Sequence, residues 1–211
     1  MKELPPSVFV IDDDEAVRSS IKLLLRSVKL PVTTYASAHE FLPKYAQDQP
    51  GCLIVDVRMP GMSGLELQEQ LNLRGAMIPV IFITGHGDIS MAVEAMRHGA
   101  FDFLPKPFRD QDLLDRVQKA LDKDNRNRRQ IAQMERIREL YETLTPRERE
   151  VLELVTSGKP NKIMAADLGV SQRTIEIHRA RVMEKMHANS LAQLVRMVLD
   201  LRDAAAVRDT G

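Results

Sequence analysis

The chain has 211 residues, enough for one large or two small domains. With 44% hydrophobic and 28% charged residues it is not a disordered chain, and with one cysteine, Cys52, it has no intrachain disulfide framework. A formal net charge of zero excludes a protein that is basic throughout, yet residues 1–124 carry 14 basic and 18 acidic side chains, whereas residues 125–211 carry 16 and 12. An acidic half followed by a basic half points to two tasks, the second on nucleic acid. No stretch approaches the ~18 apolar residues of a membrane helix. The opening MKELPPSVFVIDDD has no apolar segment followed by a cleavage site. A cytoplasmic protein without membrane contact is expected.

Short β-branched runs alternate with amphipathic stretches through the first half. Val8–Ile11 reads as a strand, followed by a helix over Glu15–Lys29 with Val17, Ile21, Leu24, Leu25 and Val28 on one face. Val32–Tyr35 is a second strand, and Phe41, Leu42 and Tyr45 mark a second helix. Cys52–Val55, Val80–Thr84 and Phe101–Leu104 are further strands, and Cys52 is expected to be a small buried filler. Gly64–Leu73, Ser90–His98 and Arg109–Leu121 are further helices. Five strand–helix alternations imply a parallel sheet covered on both faces, and the nearly continuous apolar strands agree.

Between Arg109 and Thr145 there is neither Gly nor Pro, so the fifth helix can run on into a linker. Its apolar face is interrupted by the NRNRR of residues 125–129. A new stripe then follows: Ile131, Met134, Ile137, Tyr141 and Leu144. It suits either a solvated helix resting on one domain or a short coiled coil between two chains.

A strong helix start comes next. Thr145 is a plausible N-cap, Pro146 takes the first helical position and Glu148 completes a capping box. Val151, Leu152 and Val155 are the apolar face, and Gly158 ends the helix. Asn161 is a candidate cap for a short helix with Ile163, Met164 and Leu168 inward. Gly169 stands where a left-handed C-terminal cap is wanted, and Ser171 caps the helix after it. Two helices joined by Gly-Val-Ser have the layout of a helix-turn-helix. A last helix opens at Ser190, with Gln193 completing a capping box and Leu191, Leu194, Val195, Val198 and Leu199 as its apolar face.

The polar residues at the strand ends carry the chemistry. Asp12, Asp13 and Asp14 follow the first strand, Asp56 the third, Thr84 ends the fourth and Lys106 follows the fifth. Ligands on such sheets sit at this carboxyl edge. Gathered carboxylates repel one another unless a cation or proton relieves them. An oxygen-only, carboxylate-rich site suits Mg2+. A divalent cation, a carboxylate, a lysine and a hydroxyl together make a phosphoryl-transfer arrangement, in which a carboxylate can become an aspartyl phosphate. Taken singly, Asp12–Asp14 also fit as helix caps, Asp56 as a loop acid and Lys106 as a surface lysine. Their conjunction favours the pocket.

VIDDDEAVR, VDVRMPGMSGLEL, ITGHGD and FLPKPF resemble the receiver domain of bacterial two-component response regulators. That resemblance implies an α/β, flavodoxin-like domain over 1–125, with a five-stranded parallel sheet in the order 2-1-3-4-5. It further implies Asp56 as phosphoacceptor, and Asp12, Asp13, Asp56 and the backbone carbonyl of Arg58 as the Mg2+ (or Mn2+) site, Asp13 being the more direct ligand of the acidic pair. Thr84 is then the switch hydroxyl, Lys106 the phosphate-contacting lysine, Lys106–Pro107 a cis peptide and Phe103 the switch aromatic. Phe103 stands where Tyr is frequent, and Asp14 is a spectator.

LTPREREVL, NKIMAADLGVSQRTIEIHRARVMEKM and SLAQLVR resemble the all-α, four-helix LuxR-type DNA-binding domain. It covers 141–206, after a helical linker at 126–140, and the pairing is most similar to the FixJ branch of the FixJ/NarL group. Periodicity turns Ile175, Val182 and Met186 inward and leaves Arg173, Glu176, Ile177, Ala180 and Arg181 outward. In a major groove Ile177 suits a thymine methyl and Glu176 a cytosine amino group. Lys162, Arg173, His178, Arg179 and Lys185 suit phosphates; Thr174 completes the candidate DNA-contacting set with Arg181.

The resemblance implies a transcriptional regulator, activator rather than repressor, that binds double-stranded DNA. A sensor histidine kinase phosphorylates it, it dimerises when phosphorylated and it works with RNA polymerase. It is not a turnover enzyme, although slow loss of its own phosphate is expected. Two rivals stand beside this reading. One is a hydrolase with an Asp nucleophile: Asp12-x-Asp14 is similar to the haloacid-dehalogenase D-x-D signature, but Ala16 stands where that signature wants Thr or Val. The other is a DNA-binding protein whose receiver fold serves only as a dimerisation platform.

Overall fold

The computed structural model describes residues 5–85 and 89–208. His86, Gly87 and Asp88 of the ITGHGD motif lie outside the described residues. Five parallel strands, β1 (Ser7–Ile11), β2 (Val32–Tyr35), β3 (Gly51–Asp56), β4 (Val80–Thr84) and β5 (Asp102–Pro105), are ordered β2-β1-β3-β4-β5. Interleaved with them are α1 (Glu15–Ser27), α2 (Ala38–Phe41), α3 (Gly64–Leu73) and α4 (Ile89–Arg97), and α5 (Asp110–Glu142) follows. The chain divides into two compact units after Arg128.

Alternation along the strands builds two apolar layers. Phe9, Ile11, Leu53, Val55 and Phe82 meet Phe41, Leu67 and Leu71 on one face. Val8, Val10, Ile54, Ile81 and Ile83 meet Ile21, Leu25, Leu113 and Val117 on the other. Every residue of β3 and β4 is buried, which explains their unbroken hydrophobicity. Cys52 is a buried filler, as expected, and burial pushes its thiol well up. The second helix corrects the sequence reading: α2 is a single short element ending at Phe41, and Tyr45 lies beyond it, stacked on Phe41 at 5.2 Å between ring centroids. Here aromatic packing, not helical periodicity, accounts for the spacing.

The fifth helix runs unbroken for 33 residues, as the absence of Gly and Pro allows. Within it, Asp124 is buried and accepts from the Gly51 amide at 2.9 Å and from Arg128 at 2.8 Å. The Arg128 guanidinium also donates to the carbonyls of Asp48 (2.9 Å) and Gln49 (2.7 Å). Part of the apparent NRNRR interruption therefore closes the first unit.

The second unit contains α6 (Pro146–Thr156), α7 (Asn161–Leu168), α8 (Gln172–Lys185) and α9 (Leu191–Arg208). Ile137 and Leu144 from the linker stripe are buried in its core with Val151, Leu152, Met164, Ile175, Val182, Met186, Leu194 and Val198. The lower part of that stripe is thus covered within its own unit. Thr145 and Glu148 form the reciprocal capping box on α6. Gly169 is left-handed at φ 65°, and Ser171 caps α8.

Four details differ from the sequence reading. Asn161 is the first residue of α7 and makes no cap; Pro160 holds the N-cap position without a side-chain bond. Ile163 is exposed, because the short helix turns only Met164 and Ala165 fully inward. On α9, Leu191 and Leu199 are exposed while Met197 is buried beside Leu194 and Val198. Ser190 does accept from the Gln193 amide, but the Gln193 side chain reaches the Asn189 amide, one residue earlier than a capping box requires.

Candidate functional site

The carboxyl ends of β1, β3, β4 and β5 converge on one pocket. Asp12 directly follows β1, is 1% exposed, and accepts from the Asp14 amide through Oδ1 at 2.9 Å. Asp56 ends β3, is 7% exposed, and accepts from the Arg58 amide through Oδ2 at 2.7 Å. Lys106 places its ammonium between them, 2.8 Å from Asp12 Oδ2 and 2.5 Å from Asp56 Oδ1. Its amide donates to the Thr84 carbonyl at 2.7 Å, and its bond to Pro107 is cis. Buried Thr84 ends β4.

The electrostatics follow from this placement. Burial raises the Asp56 carboxyl above the usual carboxylate range and outweighs the hydrogen bond and charge of Lys106. Burial alone would lower the Lys106 ammonium, but its hydrogen bonds to Asp12 and Asp56 outweigh that and hold it raised. Gly64 explains how α3 comes so close: a Cβ there would stand 2.4 Å from the Asp56 carbonyl oxygen.

The remaining predicted residues take different places. Asp13 is exposed, and its backbone carbonyl accepts from Arg18 at 2.9 Å. Asp14 caps α1 through the Ala16 amide at 2.8 Å, in keeping with a spectator role in the pocket. Phe103 lies on β5 and is 38% exposed.

In the second unit, α8 turns Ile175, Val182 and Met186 inward. Arg173, Glu176, Ile177, Ala180 and Arg181 are exposed, as is Lys162 on α7. Ile177 is 46% exposed, between Glu176 and the basic side chains. Thr174, His178, Arg179 and Lys185 are half-buried. The Thr174 hydroxyl bonds that of Ser171 at 2.8 Å, and Arg179 donates to Asn161 Oδ1. Lys185 pairs with buried Glu148 at 2.7 Å, although its own side chain is 35% exposed.

Comparison with known proteins agrees with both halves. The family described as response regulator receiver domain matches residues 8–118, and that described as bacterial regulatory proteins, luxR family, matches 142–198. Nodulation protein W of Bradyrhizobium diazoefficiens is 50% identical over 90% of this chain and 84% of that protein. The transcriptional regulatory protein FixJ of Azorhizobium caulinodans is 50% identical over 91% of each. The solved structure of the response regulator StyR superposes with a TM-score of 0.84 at 45% identity, covering 92% of this chain and 98% of that one. The chain belongs to the two-component response regulators. It joins a receiver domain to a LuxR-type helix-turn-helix DNA-binding domain.

Receiver domains generally bind Mg2+ at their acidic pocket. The donors of this response regulator fit such an ion in kind: Asp12 and Asp56 are buried, hard oxygen ligands at one sheet edge. Among the described residues, no three His, Cys, Asp or Glu side chains are gathered closely enough to hold a metal, and the Lys106 ammonium relieves the two carboxylates.

Sequence reasoning saw Glu148 only as a helix cap and missed what surrounds the recognition helix of this response regulator. Arg147 donates to the Leu168 carbonyl, Asn161 accepts from Arg179, and Glu148 binds Lys185. Each pair among α6, α7 and α8 thus has a polar tie. The only sequence signal was the arginine–glutamate dipeptide in LTPREREVL.

Proposed function

We propose that Asp56 is the phosphoacceptor through which a sensor histidine kinase controls DNA binding by α8. The observation that carries this reading is the Lys106 ammonium in contact with both Asp56 and Asp12. An Asp56 carboxylate oxygen attacks the phosphorus of a phosphohistidine; the P–O bond forms as the P–N bond breaks, and the imidazole leaves and takes up a proton. Lys106 then neutralises one phosphoryl oxygen and the Thr84 hydroxyl donates to another. Asp12, Asp13, Asp56 and the Arg58 carbonyl would hold Mg2+ or Mn2+, Asp13 turning in from solvent, and the ion would supply charge neutralisation to the transferred group. Water eventually hydrolyses the acyl phosphate, a slow self-limiting step rather than turnover.

Repositioning of Phe103 carries the change to the face of α4, β5 and α5. Val93, Met96 and Phe103 are exposed there, 49%, 43% and 38% respectively, and support homodimerisation of the phosphorylated form. A dimer presents two copies of α8 to two half-sites. Ile177 and Glu176 read bases, while Lys162, Arg173, His178 and Arg179 hold phosphates, and Thr174 and Arg181 complete the DNA-contacting set. The regulator acts in the cytoplasm, where DNA and RNA polymerase are, and activates transcription. Its receiver spans 1–125, with a linker over 126–140 and the output domain over 141–206.

Acetyl phosphate with Mg2+ tests this. One labile phosphoryl group per chain is expected, absent in Asp56→Asn, with tighter binding to promoter DNA. Label on Asp12 would support the hydrolase rival, and no change in either Asp56 or DNA affinity would leave the receiver as a dimerisation platform only.

A further inference from the structure

Lys185 was expected to meet a DNA phosphate, and its surroundings assign it another role. It lies in the last turn of α8. Its ammonium is 2.7 Å from Glu148 Oε2 and donates to the Thr143 carbonyl at 3.3 Å. Glu148 is 3% exposed and stands in the first turn of α6, where the same Oε2 accepts from the Thr145 amide at 2.9 Å. The Lys185 hydrogen bond is the largest influence on that carboxyl and holds it down at about 2. One carboxylate oxygen therefore joins the start of α6 to the far end of α8. Thr143 brings in the segment between α5 and α6. A phosphate that drew this ammonium away would leave the buried Glu148 carboxylate without its counter-charge, which is costly, although the Lys185 side chain is 35% exposed.

We propose that Glu148 and Lys185 are positioning residues that fix the angle of α8, and that Lys185 makes no phosphate contact. This rests on α8 being the helix that enters the groove. A residue that orients the recognition helix affects the readout of bases. A phosphate ligand affects all sequences alike and contributes to the salt dependence.

The test uses the full chain, phosphorylated with acetyl phosphate, and two duplexes. One is selected by the wild type from a random pool, and the other is its scrambled counterpart. Lys185→Gln is expected to lose about tenfold or more on the selected duplex, as for removal of one charge-assisted hydrogen bond. Its affinity for the scrambled duplex and its slope of log K against log salt stay unchanged. Glu148→Gln is expected to behave alike, and the double variant to be no worse than the weaker single one. A slope shallower by about 0.9, with equal losses on both duplexes, would make Lys185 a phosphate ligand and overturn the proposal. So would tighter binding by Glu148→Gln, which would mean a released ammonium, and so would wild-type behaviour in both variants. Circular dichroism checks folding; if Glu148→Gln loses helix, Lys185→Gln decides alone, because its Glu148 keeps the Thr145 amide. If the wild type selects no duplex, the failure lies with DNA binding through α8 rather than with these two residues.

Discussion

Asp56 and Lys106 show how little each residue says by itself. A lysine beside a carboxylate is commonplace. An ammonium 2.8 and 2.5 Å from two carboxylates that are 1% and 7% exposed is a buried charge cluster at a sheet edge, and that is uncommon. Lys106→Met leaves Asp12 and Asp56 facing each other without relief. The receiver is expected to lose roughly 1–3 kcal/mol of stability, and Mg2+ is expected to raise the melting temperature of this variant by more than that of the wild type. Thermal melts with and without the cation check this; an equal Mg2+ response in the two proteins would contradict the shared site. Gly64→Ala is expected to displace the Asp56 peptide, because the added methyl meets its carbonyl oxygen at 2.4 Å and the Phe82 ring at 2.9 Å. Slower labelling by acetyl phosphate, alongside a lower melting temperature, is the measurable result. The buried members of the pocket were legible in the sequence because strands end where apolar runs end, and the polar residue at each end then has a known edge. The separate parts of the Asp triplet were not legible. Only the start of α1 decides that Asp14 becomes the cap and that Asp13 stays in solvent.

At the scale of elements, local chemistry specified more than periodicity did. Thr145, Pro146 and Glu148 start α6, and Gly169 and Ser171 make the turn before α8, because caps and left-handed positions have few chemical solutions. Gly169→Ala forces a side chain into φ 65° and is expected to cost about 1–2 kcal/mol. Chemical denaturation followed by circular dichroism measures that loss, and an unchanged midpoint would show that the turn relaxes. Short helices were the least legible elements. α2 and α7 are too brief for an apolar stripe to separate from noise, so Tyr45 and Ile163 were misplaced. The exposed Leu191 and Leu199 of α9 show the same limit: a stripe wider than the surface it packs against leaves its margins in water.

For the whole molecule, the two units carry separate cores, and their charge balance separates an acidic half from a basic one. Glu148 sets the acid limit of the second core. Its carboxyl is lowered in the folded state to about 2 from 4.5, so its contribution is complete above the unfolded value. That contribution is lost as pH falls from about 4.5 towards 2. Melting temperatures across that window are expected to fall less steeply in Glu148→Gln than in the wild type; parallel curves would refute the assignment. Ile137 belongs to the same core, although it precedes the matched family segment at 142–198. A fragment starting at 129 is therefore expected to be more stable than one starting at 142, which also lacks Leu140 and Tyr141, by at least the roughly 2–5 kcal/mol that loss of a buried aliphatic side chain costs. Equal melting would place Ile137 outside the cooperative core. The seam after Arg128 thus has a meaning for descent as well as for folding. A recombination joint there hands each daughter gene an intact interior, whereas a joint at 142 separates Ile137 from Leu144 and passes on a core with a missing piece.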